Sequence, residues 1–433
     1  MAIKTPQGAV VDLPRGTRDY NPKESIAIKE MLSVIEEIFK RHGFAPIMTP
    51  AMESTQVLNA KAYGDESTKQ MYVIDGTDAA LRFDLTVPLA RYMAMNKDLP
   101  MPFKRYQIDK VWRRDEPQRM RSREFMQADI DIVGSPFVTA DAECVEAMLN
   151  VLEALGLKNC SMLINSRQIL NMILEHFNVA KDKQSAAIRI FDKMSKVSIE
   201  ETIKQLKSLG VGDNDAQSMI AFITEKMLNT DKLNKLETTM PESKEEVEKM
   251  RELLGLLTEY GAPYEIKVDL SLARGLDYYT GMIWEAVVET AEGSLPSIAS
   301  GGRYDNLIGM YSKSPAPAVG SSIGITRIFD VLNREDGSST YAKVFIAQIG
   351  KENSKYAISV AKKMRKAGIY ADMNVTEKGI SKQLEYSNAL GIKYVVIIGT
   401  KEREQKQVKI KNMQAGTEEL LDLDSAIATL KMI

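Results

Sequence analysis

The stretch Pro102–Val133, PFKRYQIDKVWRRDEPQRMRSREFMQADIDIV, carries most of the reading of the fold. Pro102–Val111 and Phe125–Val133 are strand-like runs, and the polar segment between them contains Pro117 and alternating arginines. That pattern predicts two antiparallel strands joined by a loop. Within it, Lys104–Glu124 holds eight basic residues (Lys104, Arg105, Lys110, Arg113, Arg114, Arg119, Arg121, Arg123) against four acidic ones. Arginine presents a planar fork suited to bidentate contact with phosphate or carboxylate. Two readings follow from charge alone. One is a solvated hairpin; the other is a phosphate-binding hairpin with Phe125 available to stack on a base.

Outward from this hairpin, Gln70–Ile74 and Ala80–Asp84 are also short strand-like runs separated by polar turns, which predicts an antiparallel sheet rather than βαβ units. Before them, Asp12–Tyr20 is turn-rich. A helix is expected over Ser25–His42, with Ile28, Met31, Leu32, Ile35, Ile38 and Phe39 at helical spacing and Gly43 ending it. Residues 168–262 are rich in Lys, Glu, Met and Leu and predict several helices, including Ser198–Ser208 and Ser243–Tyr260. Strand character returns at Tyr264–Leu270, Trp284–Glu289 and Ser297–Ser300. After a linker-like Asn333–Thr340, the chain alternates strand (Val344–Ile349), helix (Ser354–Ala367), strand (Ile369–Asn374), helix (Ser381–Leu390) and strand (Tyr394–Ile398). This predicts a small α/β module with a mostly parallel sheet. The whole reads as an antiparallel α+β body, interrupted by a helical insertion and followed by that module, with no internal repeat.

Composition narrows the chemistry. The 433 residues carry a formal charge of −2, with only His42, His176, Cys144 and Cys160 as soft ligands or nucleophile partners. An all-protein zinc site and triads that need a histidine base are therefore disfavoured. No signal peptide is expected, no apolar run approaches ~20 residues, and a reducing cytoplasm is the expected compartment.

Three glycine-rich segments stand out: Leu272–Gly281 (LARGLDYYTG), Ser300–Asp305 (SGGRYD) and Val319–Arg327 (VGSSIGITR). Glycine beside polar aromatics marks either a plain turn or a strand edge where backbone approaches a ligand closely. The third segment reads as a lead into a helix that ends at Leu332. A glycine inside a helix costs ~1 kcal/mol relative to Ala, so Gly324 implies tight packing or a ligand beside it. No Gly-x-x-x-x-Gly-Lys-Ser/Thr loop and no Gly-x-Gly-x-x-Gly turn is present. If ATP is used, arginines and a sheet must hold it.

Taken in order, these segments resemble a class II aminoacyl-tRNA synthetase, over nearly the whole chain. Thr49-Pro50 resembles motif 1, VWRRDEP (Val111–Pro117) with RSREF (Arg121–Phe125) motif 2, and GITR (Gly324–Arg327) motif 3. LARGLDYYTG and SGGRYD resemble the two peptides restricted to the histidyl family and its close relatives. LRFDLTVP (Leu81–Pro88) resembles the archaeal and eukaryotic branch, with Asp84 and Asp131 standing where other members have glutamate.

The resemblance implies an antiparallel-sheet catalytic domain in two parts, 1–167 and 263–335, a helical insertion at 168–262, and a C-terminal anticodon-binding domain at 340–433. It implies activation of L-histidine with ATP and transfer to tRNA(His), by a homodimer that binds neither membrane nor DNA. Arg113 and Arg274 would be catalytic, Arg113 contacting histidine carboxylate and α-phosphate, and Arg274 the α-phosphate. Arg121 and Arg327 would hold the far phosphates, Phe125 and Arg327 would sandwich adenine, and Asp115 would lie near its amino group. Asp84, Thr86 and Gln127 would hold the histidine α-ammonium. Asp131 and Tyr279 would bond the imidazole nitrogens, with Tyr278 and Tyr304 lining the pocket. Mg²⁺ would be held mainly by the ATP phosphates, with no protein ligand assigned. The insertion would touch the tRNA acceptor arm or be purely structural. Lys401, Arg403, Lys406, Lys409 and Lys411 would contact phosphates or form a solvated run. Two rivals are a non-catalytic regulatory relative and a nucleic-acid-binding paralogue. The first would lack the anticodon domain, and both would lose catalytic arginines.

Overall fold

The computed structural model describes residues 3–4, 10–59, 70–194, 197–274, 278–290, 293–332 and 337–432. Gly275, Leu276 and Asp277 of the LARGLDYYTG peptide, and 333–336 of the expected linker, lie outside the described residues. Two compact units form, one of Met1–Arg18 and Met31–Asn333, the other of Asp19–Glu30 and Arg334–Ile433. The helical stretch 168–262 lies within the first.

The first helix, α1 (Pro22–Arg41), buries Met31, Ile35 and Phe39 at four-residue spacing, the stripe that an amphipathic helix turns toward a core. The elements that follow in the first unit are β1 (Ala45–Pro46), α2 (Thr86–Met95), β2 (Phe103–Trp112), β3 (Glu124–Val133), α3 (Val138–Ala154) and β4 (Cys160–Ser166). Six helices then run from α4 (Arg167–His176) through α5 (Lys181–Phe191), α6 (Ile199–Ser208), α7 (Asp213–Thr224) and α8 (Asn229–Thr239) to α9 (Lys244–Glu259). The unit closes with β5 (Glu265–Val268), β6 (Met282–Thr290), β7 (Ala299–Arg303), β8 (Ala318–Gly324) and α10 (Ile325–Leu332).

Eight strands form the main sheet in the order β5-β4-β6-β7-β8-β3-β2-β1, and Gly293–Ser294 adds to β6. Only the ends, β5/β4 and β1/β2, pair parallel. The quoted hairpin is real: β2 and β3 pair over ten residues, from Phe103↔Val133 to Trp112↔Glu124. The runs near 72 and 80 do not join this sheet. Tyr72–Val73 and Ala79–Leu81 pair with Met52–Ser54 in a separate three-stranded sheet.

Alternation along the strands separates two faces. Ala128, Ile130 and Ile132 of β3, Trp284 of β6 and Val319 of β8 are buried on one side, where Ser321 Oγ accepts from Trp284 Nε1 (3.1 Å) and donates to the Cys144 carbonyl of α3 (3.0 Å). Packed between this face and α9, α3 buries a broad apolar surface, including Cys144, Val145, Met148 and Leu152, and keeps a polar stripe of Glu143, Glu146, Asn150 and Glu153 that is not fully buried. The opposite face of the sheet carries the polar residues described below.

One expectation is corrected. Val319–Gly324 is strand, not a lead into a helix, and Gly324 ends β8 rather than sitting inside a helix. The packing there is tight, since a Cβ would lie 3.2 Å from the Ile298 carbonyl oxygen.

In the second unit, β9 (Val344–Gln348), α11 (Ser354–Lys366), β10 (Ala371–Met373), α12 (Ile380–Ala389) and β11 (Tyr394–Ile398) follow the expected order. They continue into β12 (Gln407–Asn412), β13 (Glu418–Asp422) and α13 (Leu423–Lys431). The sheet order is β10-β9-β11-β12-β13. It is parallel at β9/β10 and β9/β11 but antiparallel at β11/β12 and β12/β13, so "mostly parallel" is corrected to half. Strands buried on both faces read as continuous apolar runs. Val344 and Ile346 face a core with α11 and α13, while Phe345 and Ala347 face Leu384 and Leu390 on the α12 side.

Candidate active site

Register places two rows of side chains across the polar face of the main sheet. One row runs from Glu285 through Ser300, Ser322 and Asp129 to Gln107. The next runs from Ile283 through Gly302, Gly320 and Asp131 to Arg105. Residues directly opposite on neighbouring strands share a face, so Gln127, Asp129 and Asp131 all project from β3 to the same side.

The glycines explain themselves here. A Cβ on Gly302 would meet the Tyr279 ring at 2.8 Å, and one on Gly320 would meet Asp131 Oδ1 at 2.1 Å. Gly301 faces the other way and clears Trp284, whose Nε1 would lie 2.6 Å from a Cβ. The paired glycines of SGGRYD thus make room for an aromatic on each side of the sheet. Arg303 of the same peptide belongs to the core side, bound by Asp141 of α3 and the Ser135 and Phe137 carbonyls.

Asp131 is held twice, by Arg105 (2.5 Å) and by the Tyr304 hydroxyl. Tyr304, Tyr278 and Tyr279 form an aromatic cluster, with ring centroids 4.6 Å (Tyr278–Tyr279) and 5.7 Å (Tyr278–Tyr304) apart. Asp84 accepts from the Val87 amide (3.1 Å) at the start of α2, where Thr86 is the first helical residue. Gln127 Nε2 donates to Ser322 Oγ (2.7 Å). A cavity of about 440 Å³ opens beside Tyr278, Tyr279 and Thr280 and is lined on its other side by Arg167, Gln168 and Asn171 of α4.

The arginines gather at the other end of the polar face. Arg113 donates from Nε to the Phe83 carbonyl (3.0 Å), and its guanidinium lies 5.1 Å from the Phe125 ring centroid, a cation–π contact. Arg121 is held by Asp115 (2.8 Å). Arg327, on α10, donates to the Met120 and Ser297 carbonyls (3.1 and 2.6 Å). Burial and the nearby positive charges of Arg113, Arg121 and Arg274 all push the Arg327 pKa down, against Glu285. Three cations are therefore close enough to Arg327 to repel it, a field that favours an anion beside it.

The loop carrying Arg113–Arg123 is braced from the N-terminal turn. The Arg123 amide donates to the Gly16 carbonyl (2.8 Å), Arg15 pairs with Glu116 (2.7 Å), and Gly16 has φ +85°. Sequence reasoning missed this brace and also missed Glu285. Glu285 pairs with Arg274 Nη1 at 2.6 Å, and Arg274 lies 5.7 Å from the Tyr279 ring. Burial raises the Glu285 pKa, against the charge of Arg274. A carboxylate in the middle of an otherwise apolar strand, WEAVV, was the available signal. All thirteen site residues expected from the sequence lie in the first unit, on or beside the polar face, and each is among the described residues.

The basic cluster of the second unit is arranged differently. Lys409 and Lys411 alternate along β12 with buried Val408 and Ile410, and both pair with Glu418 of β13 (3.5 and 3.0 Å). Arg403 donates to the Glu352 carbonyl (3.2 Å).

Comparison with known proteins gives one answer. The sequence model described as Histidyl-tRNA synthetase matches residues 16–328, and that described as Anticodon binding domain matches 343–433. A histidine–tRNA ligase of Clostridium tetani is 35% identical, covering 96% of this chain and 97% of its own. One of Korarchaeum cryptofilum is also 35% identical, covering 93% and 94%. The crystal structure of histidyl-tRNA synthetase from a Nostoc species superposes with a TM-score of 0.84 at 29% identity, over 97% of this chain and 99% of that one. Matches this long, spanning both the arginine-bearing sheet and the C-terminal module, place the chain in the histidyl-tRNA synthetase family.

Proposed function

We propose that the polar face of the first unit binds L-histidine at the tyrosine and aspartate end and ATP at the arginine end. The convergence of Arg113, Arg121, Arg274 and Arg327 on one face, with Asp115 and Glu285 as their carboxylate partners, carries this reading. The family's reaction has two steps. The histidine carboxylate attacks the α-phosphorus and pyrophosphate leaves. The 3′-terminal ribose hydroxyl of the tRNA then attacks the adenylate carbonyl and AMP leaves. Neither step needs a protein nucleophile, so positioning and charge stabilisation do the work.

In this assignment Arg113 spans the histidine carboxylate and α-phosphate, and Arg274, oriented by Glu285, meets the same phosphate. Arg121 and Arg327 hold the outer phosphates. Adenine lies between Phe125 and Arg327, with Asp115 toward its amino group. Asp84, Thr86 and Gln127 take the α-ammonium, and Asp131, Tyr278, Tyr279 and Tyr304 form the side-chain end. Mg²⁺ would be held mainly by the ATP phosphates, with Glu285 and Asp115 already engaged by Arg274 and Arg121. The cavity between Tyr278–Thr280 and α4 supports contact between the first insertion helix and the tRNA acceptor end. The C-terminal unit receives the anticodon region of tRNA(His).

A homodimer is supported by exposed apolar side chains that flank Thr49-Pro50 in sequence, Met48 at 90% and Met52 at 59% exposure. No helix among the described residues is long and apolar enough to cross a membrane, and a cytoplasmic place follows from the tRNA substrate. The deciding experiment is ATP–pyrophosphate exchange without tRNA, run across all amino acids. Exchange with histidine alone is expected; a folded protein with Mg²⁺ that gives none overturns the reading.

A further inference from the structure

Asp129 has no role in the assignment above, yet it occupies the centre of the site. It projects from β3 between Gln127 and Asp131, opposite Gln107 of β2 and Ser322 of β8. It is 3% exposed, and its Oδ1 has no hydrogen-bond partner among the described residues. A buried carboxyl oxygen left unpaired is costly, and such an atom beside a binding site is accounted for when a ligand supplies the donor. Its neighbour Asp131 differs. The Tyr304 hydroxyl donates to its Oδ1, which leans into the space that Gly320 leaves open, and its Oδ2, though also without a hydrogen bond, is ion-paired with Arg105 at 2.5 Å.

We propose that Asp129 is a specificity-determining residue of this site, a second carboxyl that receives a ring N–H of the histidine side chain alongside Asp131. The inference rests on the function proposed above. The groups facing Asp129 are Arg105 from β2, Asp131 from β3 itself, Asp84 from the segment before α2, and Tyr279. Three carboxyls thus face one guanidinium, an acidic pocket that suits a substrate able to bring a proton or an N–H. Amino acids with apolar side chains leave Asp129 Oδ1 desolvated without a donor, and a neutral amide can donate but brings no ionisable proton. That penalty is the kind that gives strong discrimination against near-isosteres.

The geometry also implies a pH signature. Burial, with the Asp131 and Asp84 charges adding and Arg105 opposing, raises the Asp129 pKa to about 7. Free imidazole ionises near ~6.5. Paired, the ring and Asp129 share one proton as a coupled unit. Histidine binding then takes up a proton above about pH 7, releases one below about 6.5, and is tightest between the two values.

Asp129→Asn tests this in histidine-dependent pyrophosphate exchange, with KM for histidine and for ATP measured from pH 6 to 8. The expected result is a rise of at least about tenfold in histidine KM at pH 7 with ATP KM unchanged, and loss of the alkaline limb of the profile. Unchanged histidine KM, or an equal rise in both constants, overturns the proposal. If Asp129→Asn does not fold, calorimetric titration of the unmodified chain with histidine, in buffers of different ionisation enthalpy, decides instead. Proton uptake at pH 8 and release at pH 6 support the pairing; no exchanged protons at either pH overturns it. Absence of histidine exchange by the unmodified chain fails the proposed function itself, so the two failures are distinguishable.

Discussion

Two basic antiparallel hairpins, one in each unit, show how little charge alone says about function. In β2–β3 and its loop, the arginines are tied to carbonyls and carboxylates of several separate segments: Arg113 to Phe83, Arg105 to Leu85 and Asp131, Arg121 to Asp115, and Arg123 to Arg15. In β12–β13, Lys409 and Lys411 project from one face of a strand and share Glu418. The first arrangement fixes each guanidinium before any ligand arrives. The second leaves two flexible ammonium groups at a surface, suited to contacts that are additive and salt-sensitive. Preorganised charge serves chemistry, and mobile charge serves docking.

The sharpest way to break this contrast is Arg274→Ala. Loss of one preorganised charge donor at a reacting phosphate costs about 10²–10³-fold in rate, so exchange should fall by that order while histidine binding, read by calorimetry, is largely kept. A variant that loses histidine binding as strongly as rate would place Arg274 at the amino acid rather than the phosphate. Removal of the C-terminal part of the second unit, by ending the chain near residue 335, should be the mirror image. Adenylate formation should persist and tRNA charging should fall steeply; equal charging by the shortened chain would deny the C-terminal hairpin any part in docking.

Smaller effects test how the rigid half is held. Gly16→Ala forces a side chain into a left-handed position, costing about 1–2 kcal/mol, and its Cβ would meet Arg123 and Pro117 at 2.8 Å. The motif 2 loop should loosen, so ATP KM should rise severalfold with histidine KM little changed. A neutral result would mean that the brace is not needed. Glu285→Gln removes the charge that orients Arg274 but keeps the shape. A loss of about tenfold in kcat is expected, equivalent to about 1.5 kcal/mol for one charge-assisted hydrogen bond. Glu285→Ala falling no further would show that orientation by charge, not packing, was the contribution.

The same contrast explains what could be read beforehand. The β2–β3 hairpin, the insertion helices and the βαβ order of the second unit follow from local periodicity, which each segment carries by itself. β8 was misread because Gly320 and Gly324 look like loop residues until the neighbours they accommodate, Asp131 and the Ile298 carbonyl, are known. β12 and β13 were missed because alternating lysines read as a charge run rather than as one face of a strand. The arginines of the site were legible through resemblance to motif 2 and motif 3. Glu285, Asp129 and the Gly16 brace were not, because each acts only through partners far away in the chain, and register across several strands is what joins them.

The smallest expected effect is also the most direct test of the second hairpin. Lys409→Ala and Lys411→Ala should leave exchange within twofold of the unmodified chain, since neither residue belongs to the unit that carries the site. Each lysine that meets a tRNA phosphate should lower the slope of log affinity against log salt by about 0.7–0.9. tRNA charging should therefore weaken mildly at low salt and converge with the unmodified chain at high salt. Glu418→Gln sharpens the reading. Glu418 holds both ammonium groups, which lower its pKa, so neutralising it frees them and should strengthen tRNA binding slightly. If Glu418→Gln weakens binding instead, the lysines serve the strand pair and not the nucleic acid, and the basic run on β12 is a solvated face.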